Sequence, residues 1–164
     1  MESFSFQQTK EGSQAILSLS GVIDEKAKFP EIGAAAGEKL VVDLNAIDYI
    51  NSIGIKLWIQ WVTPLAKSAQ LEFRRCPKSI IFQINMVKDF LPTTASVASF
   101  YLPLFCENCD KEASVLLAVA SDIKVSGEDV SVTADLAKAI GCTESACQVE
   151  IDVIEKKYFR FLIR

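Results

Sequence analysis

Between Lys39 and Val62 the hydrophobic pattern changes its period, and that change limits the folds open to this chain. Residues Lys39–Leu44, KLVVDL, form an apolar run broken only by Asp43, the texture of a short buried strand. From Ile53 onward apolar residues recur at helical spacing, with Ile55, Trp58, Ile59 and Val62 on one face. Pro64 would remove a helix hydrogen bond, so an end or kink is expected near Thr63. The alternation then repeats. Ala69–Arg74, AQLEFR, reads as a strand, and Pro77 opens a second helix at a position where proline is tolerated. Ile80, Ile81, Ile84, Val87 and Leu91 give that helix its apolar stripe, and Pro92 stops it.

Ahead of this region, FSFQQT (4–9) and QAILSLS (14–20) read as a hairpin turning at Lys10-Glu11-Gly12-Ser13. EKAKFPEI (25–32) reads as a weak helix interrupted by Pro30, and GAAAG (33–37) as a loop or frayed helix end. The expected order to residue 92 is β-β-α-β-α-β-α. That is an α+β arrangement, a mixed sheet with helices on one side and right-handed crossovers between parallel strands. After about residue 95 strand-like pieces dominate: VASFYLPLF, SVLLAV, DIKVSG and CQVEIDVIEKKYFRFL. Two domains are expected, 1–99 and a smaller β-rich one at 100–164, with the strand 96–105 running from one into the other.

Composition narrows the function classes. The net charge of -4 over 164 residues argues against nucleic acid, which needs a positive surface field. Arg74-Arg75 reads as solvated surface. The chain has no histidine, which removes Ser-His and Cys-His nucleophiles and His-containing metal sites. GAAAG lacks the Lys-Ser/Thr of a phosphate loop. Asp24, Asp43 and Asp48 read as solvated strand ends rather than acid–base machinery. An enzyme is not expected. MESFSFQQTK has neither the basic nor the apolar part of a signal peptide, and no apolar run approaches the roughly 20 residues that span a bilayer. A cytoplasmic protein without membrane contact is expected, and a homo-oligomer is left open.

Asn51-Ser52 stands where the strand region ends and the helix begins. One reading makes Ser52 the N-cap, its hydroxyl accepting a first-turn N–H. The other notes that a helix N-terminus carries free N–H groups and partial positive charge, so a phosphate attached to Ser52 would be stabilised there. Trp58 and Trp61 are three apart; one is expected in the core and the other exposed, where it would suit a docking surface beside Ser52.

These residues resemble the STAS family, the anti-sigma factor antagonists. The resemblance lies in Gly21-Val22-Ile23-Asp24 after the second strand and in the strand-Ile50-Asn51-Ser52-Ile53-Gly54-helix junction, and it covers residues 3–92. It implies that Ser52 is the residue phosphorylated by an anti-sigma factor kinase. It also implies that Asp24, Asn51, Ser52 and Gly54 belong to a surface binding a protein partner of the anti-sigma factor or serine kinase type. Asn51 stands where the family usually has Asp, and Ile53 where it has a second Ser or Thr. The expected function is a regulatory interaction module switched by Ser52 phosphorylation. The alternative is a scaffold docking its partner without phosphate, and a small ligand-binding domain is the third class.

Four of the five cysteines fall in the C-terminal part. Cys106-Glu107-Asn108-Cys109 has the CxxC spacing of a zinc knuckle, whereas Cys142-Thr143-Glu144-Ser145-Ala146-Cys147 needs a larger turn. Strand-like segments flank both pairs, as in a zinc ribbon. Structural zinc on Cys106, Cys109, Cys142 and Cys147 is the first reading; reduced thiols packed as small apolar groups and disulfides are the others. Cys76, just before Pro77, reads as core.

Overall fold

The computed structural model describes residues 1–33 and 37–164. Ala34–Ala36, the middle of the expected GAAAG loop, lie outside the described residues. The fold is α+β. Strands β1 (Ser5–Glu11), β2 (Gln14–Ile23), β3 (Glu38–Ile50), β4 (Ala69–Arg74) and β5 (Ser96–Val97) form one sheet in sequential order. β1 and β2 are an antiparallel hairpin, and the later neighbours are parallel. Parallel strands added in one direction through right-handed crossovers carry their helices on a single face. Helices α1 (Ser52–Ser68) and α2 (Lys78–Met86) supply Trp58, Val62, Leu65, Ile80, Ile81 and Ile84 to the core there. The sheet meets them with alternate residues of each strand: Leu17 and Leu19, Leu40, Val42 and Leu44, Leu71 and Phe73.

Several elements differ from their sequence expectation, each for a visible reason. β3 continues past Leu44 to Ile50. Its inward residues there are Leu44, Ile47 and Ile50, spaced by three, because two register shifts against β2 insert extra residues and break the period of two. α1 passes through Pro64 and ends at Ser68. Pro64 is on the exposed side, where water can satisfy the carbonyl that its missing N–H leaves open. α2 stops at Met86, five residues earlier than its stripe suggested, and Pro77 is its cap rather than its first residue.

The weak helix over 25–32 does not form; that stretch is irregular. Asp24 closes it into a turn, its carboxylate accepting the Lys26 N–H at 2.9 Å and its carbonyl the Ala27 N–H at 3.1 Å. The stretch is then pinned to α1. Phe29 stacks on Trp61 at 4.8 Å, and the Trp61 indole N–H donates to the Pro30 carbonyl at 2.9 Å. Trp61 is therefore half-buried and anchored, and does not serve as an exposed docking residue beside Ser52.

Asp43 and its neighbours correct a second expectation. Asp43 is 1% exposed, on the sheet face away from the helices, and is no solvated strand end. Arg74 Nε donates to it at 2.7 Å and Arg75 Nε at 2.9 Å, so the two arginines cover a buried carboxylate. Burial pulls the Asp43 pKa upward, but hydrogen bonds from Arg75, the Asn45 N–H and Arg74 outweigh it and hold the carboxyl below its usual range.

The expected strand 96–105 is two strands. β5 closes the first sheet, and β6 (Ser99–Cys106) enters a second one between β7 (Lys111–Ala118) and β10 (Val149–Ile151), antiparallel to both. A short helix α3 (Val119–Asp122) leads to the hairpin β8 (Ile123–Ser126) and β9 (Asp129–Val132), followed by α4 (Leu136–Ala139). The last segment, expected as strand, is strand only over β10. It then turns into α5 (Glu155–Tyr158) and a 3-10 turn at Phe159–Leu162. Tyr158, Phe159 and Phe161 are all buried, and successive strand residues face opposite sides. A helical turn brings them together around Phe100 and against α2, where the Asn85 amide donates to the Tyr158 carbonyl at 2.8 Å. Cys76 is fully buried, as its position before Pro77 suggested.

Candidate partner surface and metal centre

The start of α1 is built by close approach to the end of β2. A Cβ on Gly54 would lie 2.0 Å from the Ile23 carbonyl oxygen, so only glycine lets the helix sit this low. Gly21 is held just as tightly at φ +81, with its Cα facing the Ser3 carbonyl. The Asn51 N–H donates to Ile23 O at 3.1 Å and fastens the junction to the strand.

Asn51, not Ser52, is the N-cap. Its side-chain oxygen accepts the Gly54 N–H at 2.7 Å, and its amide donates to Glu25 Oε2 at 3.2 Å. Ser52 is the first helical residue, exposed, and its hydroxyl makes no hydrogen bond among the described residues. Ile53, next in the chain, and Tyr49, three residues before Ser52 on β3, are each 50% exposed. Asp24, in its turn, is half-buried at the end of β2, the strand against which Asn51 and Gly54 pack. The first turn of α1 has no acidic residue of its own; the Asn51 side chain takes its Gly54 N–H, and the Glu25 carboxylate is the negative charge bonded to that cap.

The second candidate site lies at the far end of the chain. Cys106 ends β6, and Cys109 lies in the turn to β7, which Asp110 closes at φ 46. The second pair follows α4. Gly141, at φ 73, turns the chain out of the helix so that Cys142 comes next, its N–H bonded to Ala137 O at 3.0 Å. Cys147 then leads into β10, whose Val149 pairs with Cys106. The Lys111 ammonium reaches across to the Ile140 carbonyl at 2.7 Å, and Asn108 donates to Glu144 at 3.1 Å.

All four sulfurs lie within 4.8 Å of one another. Cys109 Sγ is 3.3 Å from Cys147 Sγ and 4.0 Å from Cys142 Sγ, and no disulfide joins any of them. A tetrahedral thiolate site with metal–sulfur bonds of about 2.3 Å has sulfurs about 3.8 Å apart. The cluster can therefore hold a metal ion. The Cys109 N–H donates to the Cys106 sulfur and lowers that thiol's pKa, whereas burial and then the neighbouring thiols push Cys142 up to about 12. Ionising all four takes the charge of a cation among them.

The predicted sites thus gather into two clusters. The Asn51 cap, the Glu25 contact and the Asp43–Arg74–Arg75 group were not read from the sequence. The cap had a local signal, since Asn directly before a helix is a favoured cap. The ion cluster had none, because its members meet only across β3 and β4. A scan of protein-family models gives no match, and no curated protein matches the sequence. No helix among the described residues is long and apolar enough to cross a membrane.

Proposed function

We propose that this protein is a non-enzymatic regulatory adaptor of the STAS type, working in the cytoplasm. Its surface at the start of α1 docks a protein partner of the anti-sigma factor or serine kinase kind, and phosphorylation of Ser52 switches that contact. The observation that carries the reading is the division of labour between Asn51 and Ser52. Asn51 caps the helix, which leaves the Ser52 hydroxyl free and exposed, with Ile53 and Tyr49 exposed close by in the chain. A phosphate there would meet the N-terminus of a 17-residue helix, where anions are stabilised. The same charge would disrupt an apolar contact made through Ile53 and Tyr49. Intact-mass measurement on protein from its native cells tests this: a phosphorylated fraction is expected, mapped to Ser52 and lost in Ser52→Ala. Protein uniformly free of phosphate across growth conditions defeats the switch.

One observation favours a phosphate-free scaffold as the second reading. The Glu25 carboxylate bonded to Asn51 already brings negative charge to this helix end and would repel another anion. In that case Ser52→Asp and wild type bind the partner equally. In both readings the four cysteines hold structural zinc, since four thiolates leave no open position for catalysis. Co(II) titration of the reduced protein, read by thiolate-to-metal absorption, tests the ligand set.

A further inference from the structure

The four sulfurs of the cysteine cluster differ in how solvent reaches them. Cys106 is fully buried, Cys142 and Cys147 are half-buried, and Cys109 is exposed. A small oxidant arriving from solvent meets Cys109 first. Across to the second pair, the Cys109 sulfur is 3.3 Å from that of Cys147 and 4.0 Å from that of Cys142. A disulfide bond is about 2.05 Å long, so the pair needs to close by only about 1 Å. Cys147 sits between Gly141 and β10 in a stretch without strand or helix, which can accommodate that movement. The Asn108 amide donates towards the Cys147 sulfur at 3.7 Å.

We propose that Cys109 and Cys147 are a peroxide-oxidised thiol pair whose disulfide expels the metal from the cluster. The Cys109 thiolate attacks one peroxide oxygen. The O–O bond breaks, hydroxide leaves and takes up a proton, and Cys109 becomes a sulfenic acid. The Cys147 thiolate then attacks the Cys109 sulfur, the S–O bond breaks, and a second water departs as the S–S bond forms. Two thiols and hydrogen peroxide give a disulfide and two waters, with the electrons passing from sulfur to peroxide oxygen. Cys106 and Cys142 are then the only sulfurs left to the cation, and two ligands do not retain what four hold. A dithiol reductant reverses the step. The expulsion rests on the metal reading above; the choice of pair rests on sulfur positions and exposure alone.

The test uses the full chain, reduced, loaded with zinc and then exposed to hydrogen peroxide. Released zinc is followed with a chromophoric chelator, and cysteine linkages are mapped in peptides under non-reducing conditions. The expected result is loss of the zinc in step with a Cys109–Cys147 disulfide, both restored by dithiothreitol. In Cys147→Ser the reaction should halt at a sulfenic acid on Cys109, captured by dimedone. A disulfide joining any other pair, or thiols that all survive excess peroxide, overturns the proposal. If the reduced protein binds neither cobalt nor zinc, the metal reading has failed, and mapping of the metal-free chain still decides the pair.

Discussion

The first sheet with its helices and the cysteine-bearing lobe differ in how much apolar surface they bury. Between Ile16 and Leu91, buried hydrophobic residues occur in every element from β2 to α2, and Trp58, Phe73 and Phe90 are enclosed together. Each such side chain contributes about 1.5–3 kcal/mol by leaving water. Between Glu107 and Lys157 the buried hydrophobic residues are Leu117 and Ile140. The other hydrophobic residues of that stretch that reach the core, such as Val115, Ile123, Val132, Leu136 and Val149, are only partly buried, so burial stabilises it less per residue; the metal proposed for the cysteine cluster would add a cross-link there. The difference teaches that burial is spread unevenly along one chain, and that the cysteine cluster falls where burial is thinnest. The two regions meet at β6, whose Phe100, Leu102 and Leu104 join the large core while Cys106 begins the cluster.

The largest expected effect breaks the lobe and spares the sheet. Structural zinc sites contribute about 10–16 kcal/mol of apparent binding energy. Cys106→Ser, or a strong chelator, should abolish amide exchange protection in β10 while leaving β2–β4 protected. Unchanged exchange in β10 would show that the lobe stands without a metal.

Next in size is a change that strikes the other half. Gly54→Ala places a methyl group against the Ile23 carbonyl and should cost about 3 kcal/mol, seen as a lower urea midpoint. Zinc content per folded chain should not change; loss of metal in this variant would mean that the halves are more tightly coupled than their cores suggest.

Asp43→Asn weakens the ion cluster on the open sheet face and should cost about 1–3 kcal/mol near neutral pH. Arg75 remains hydrated, its side chain being 41% exposed, which keeps the loss below that of a fully enclosed pair. The sign with pH follows from the lowered pKa of Asp43 in the fold. Its contribution is fully present above the unfolded value near 4 and disappears as pH falls through the lower folded value. The gap between wild type and Asp43→Asn in urea unfolding should therefore shrink below about pH 4; a gap that widens on acidification contradicts the assignment.

The smallest effects separate cap from switch. Asn51→Ala should cost about 1 kcal/mol, whereas Ser52→Ala should stay within about 0.5 kcal/mol, both read by thermal unfolding. Equal losses would return the capping role to Ser52.

Much of this architecture was legible beforehand because it is local. The change of period after residue 50 marks α1, the stripe from Ile80 to Ile84 marks α2, and the paired cysteines identify one another by spacing alone. Where two elements act on each other the pattern misled. The spacing of Leu44, Ile47 and Ile50 looks unlike a strand until β2 is laid beside it with its shifted register. Asp43, Arg74 and Arg75 look like surface until parallel pairing of β3 with β4 sets Asp43 opposite Arg74. Tyr158, Phe159 and Phe161 continue an apparent strand until Phe100 and α2 offer a pocket that only a helical turn can fill.

The sequence by itself determined which apolar residues of β2 to α2 seek the interior, about where α1 and α2 begin, and that four sulfurs were available in two pairs. Those are properties of side-chain chemistry and of spacing along one element. The tertiary structure decided that Asn51 caps and Ser52 is free, that the two cysteine pairs meet at the β6–β10 ladder, and that Cys109 faces solvent with Cys147 at 3.3 Å. These depend on contacts between residues far apart in the chain, set by the packing of whole elements, and no local pattern encodes a distance of that kind.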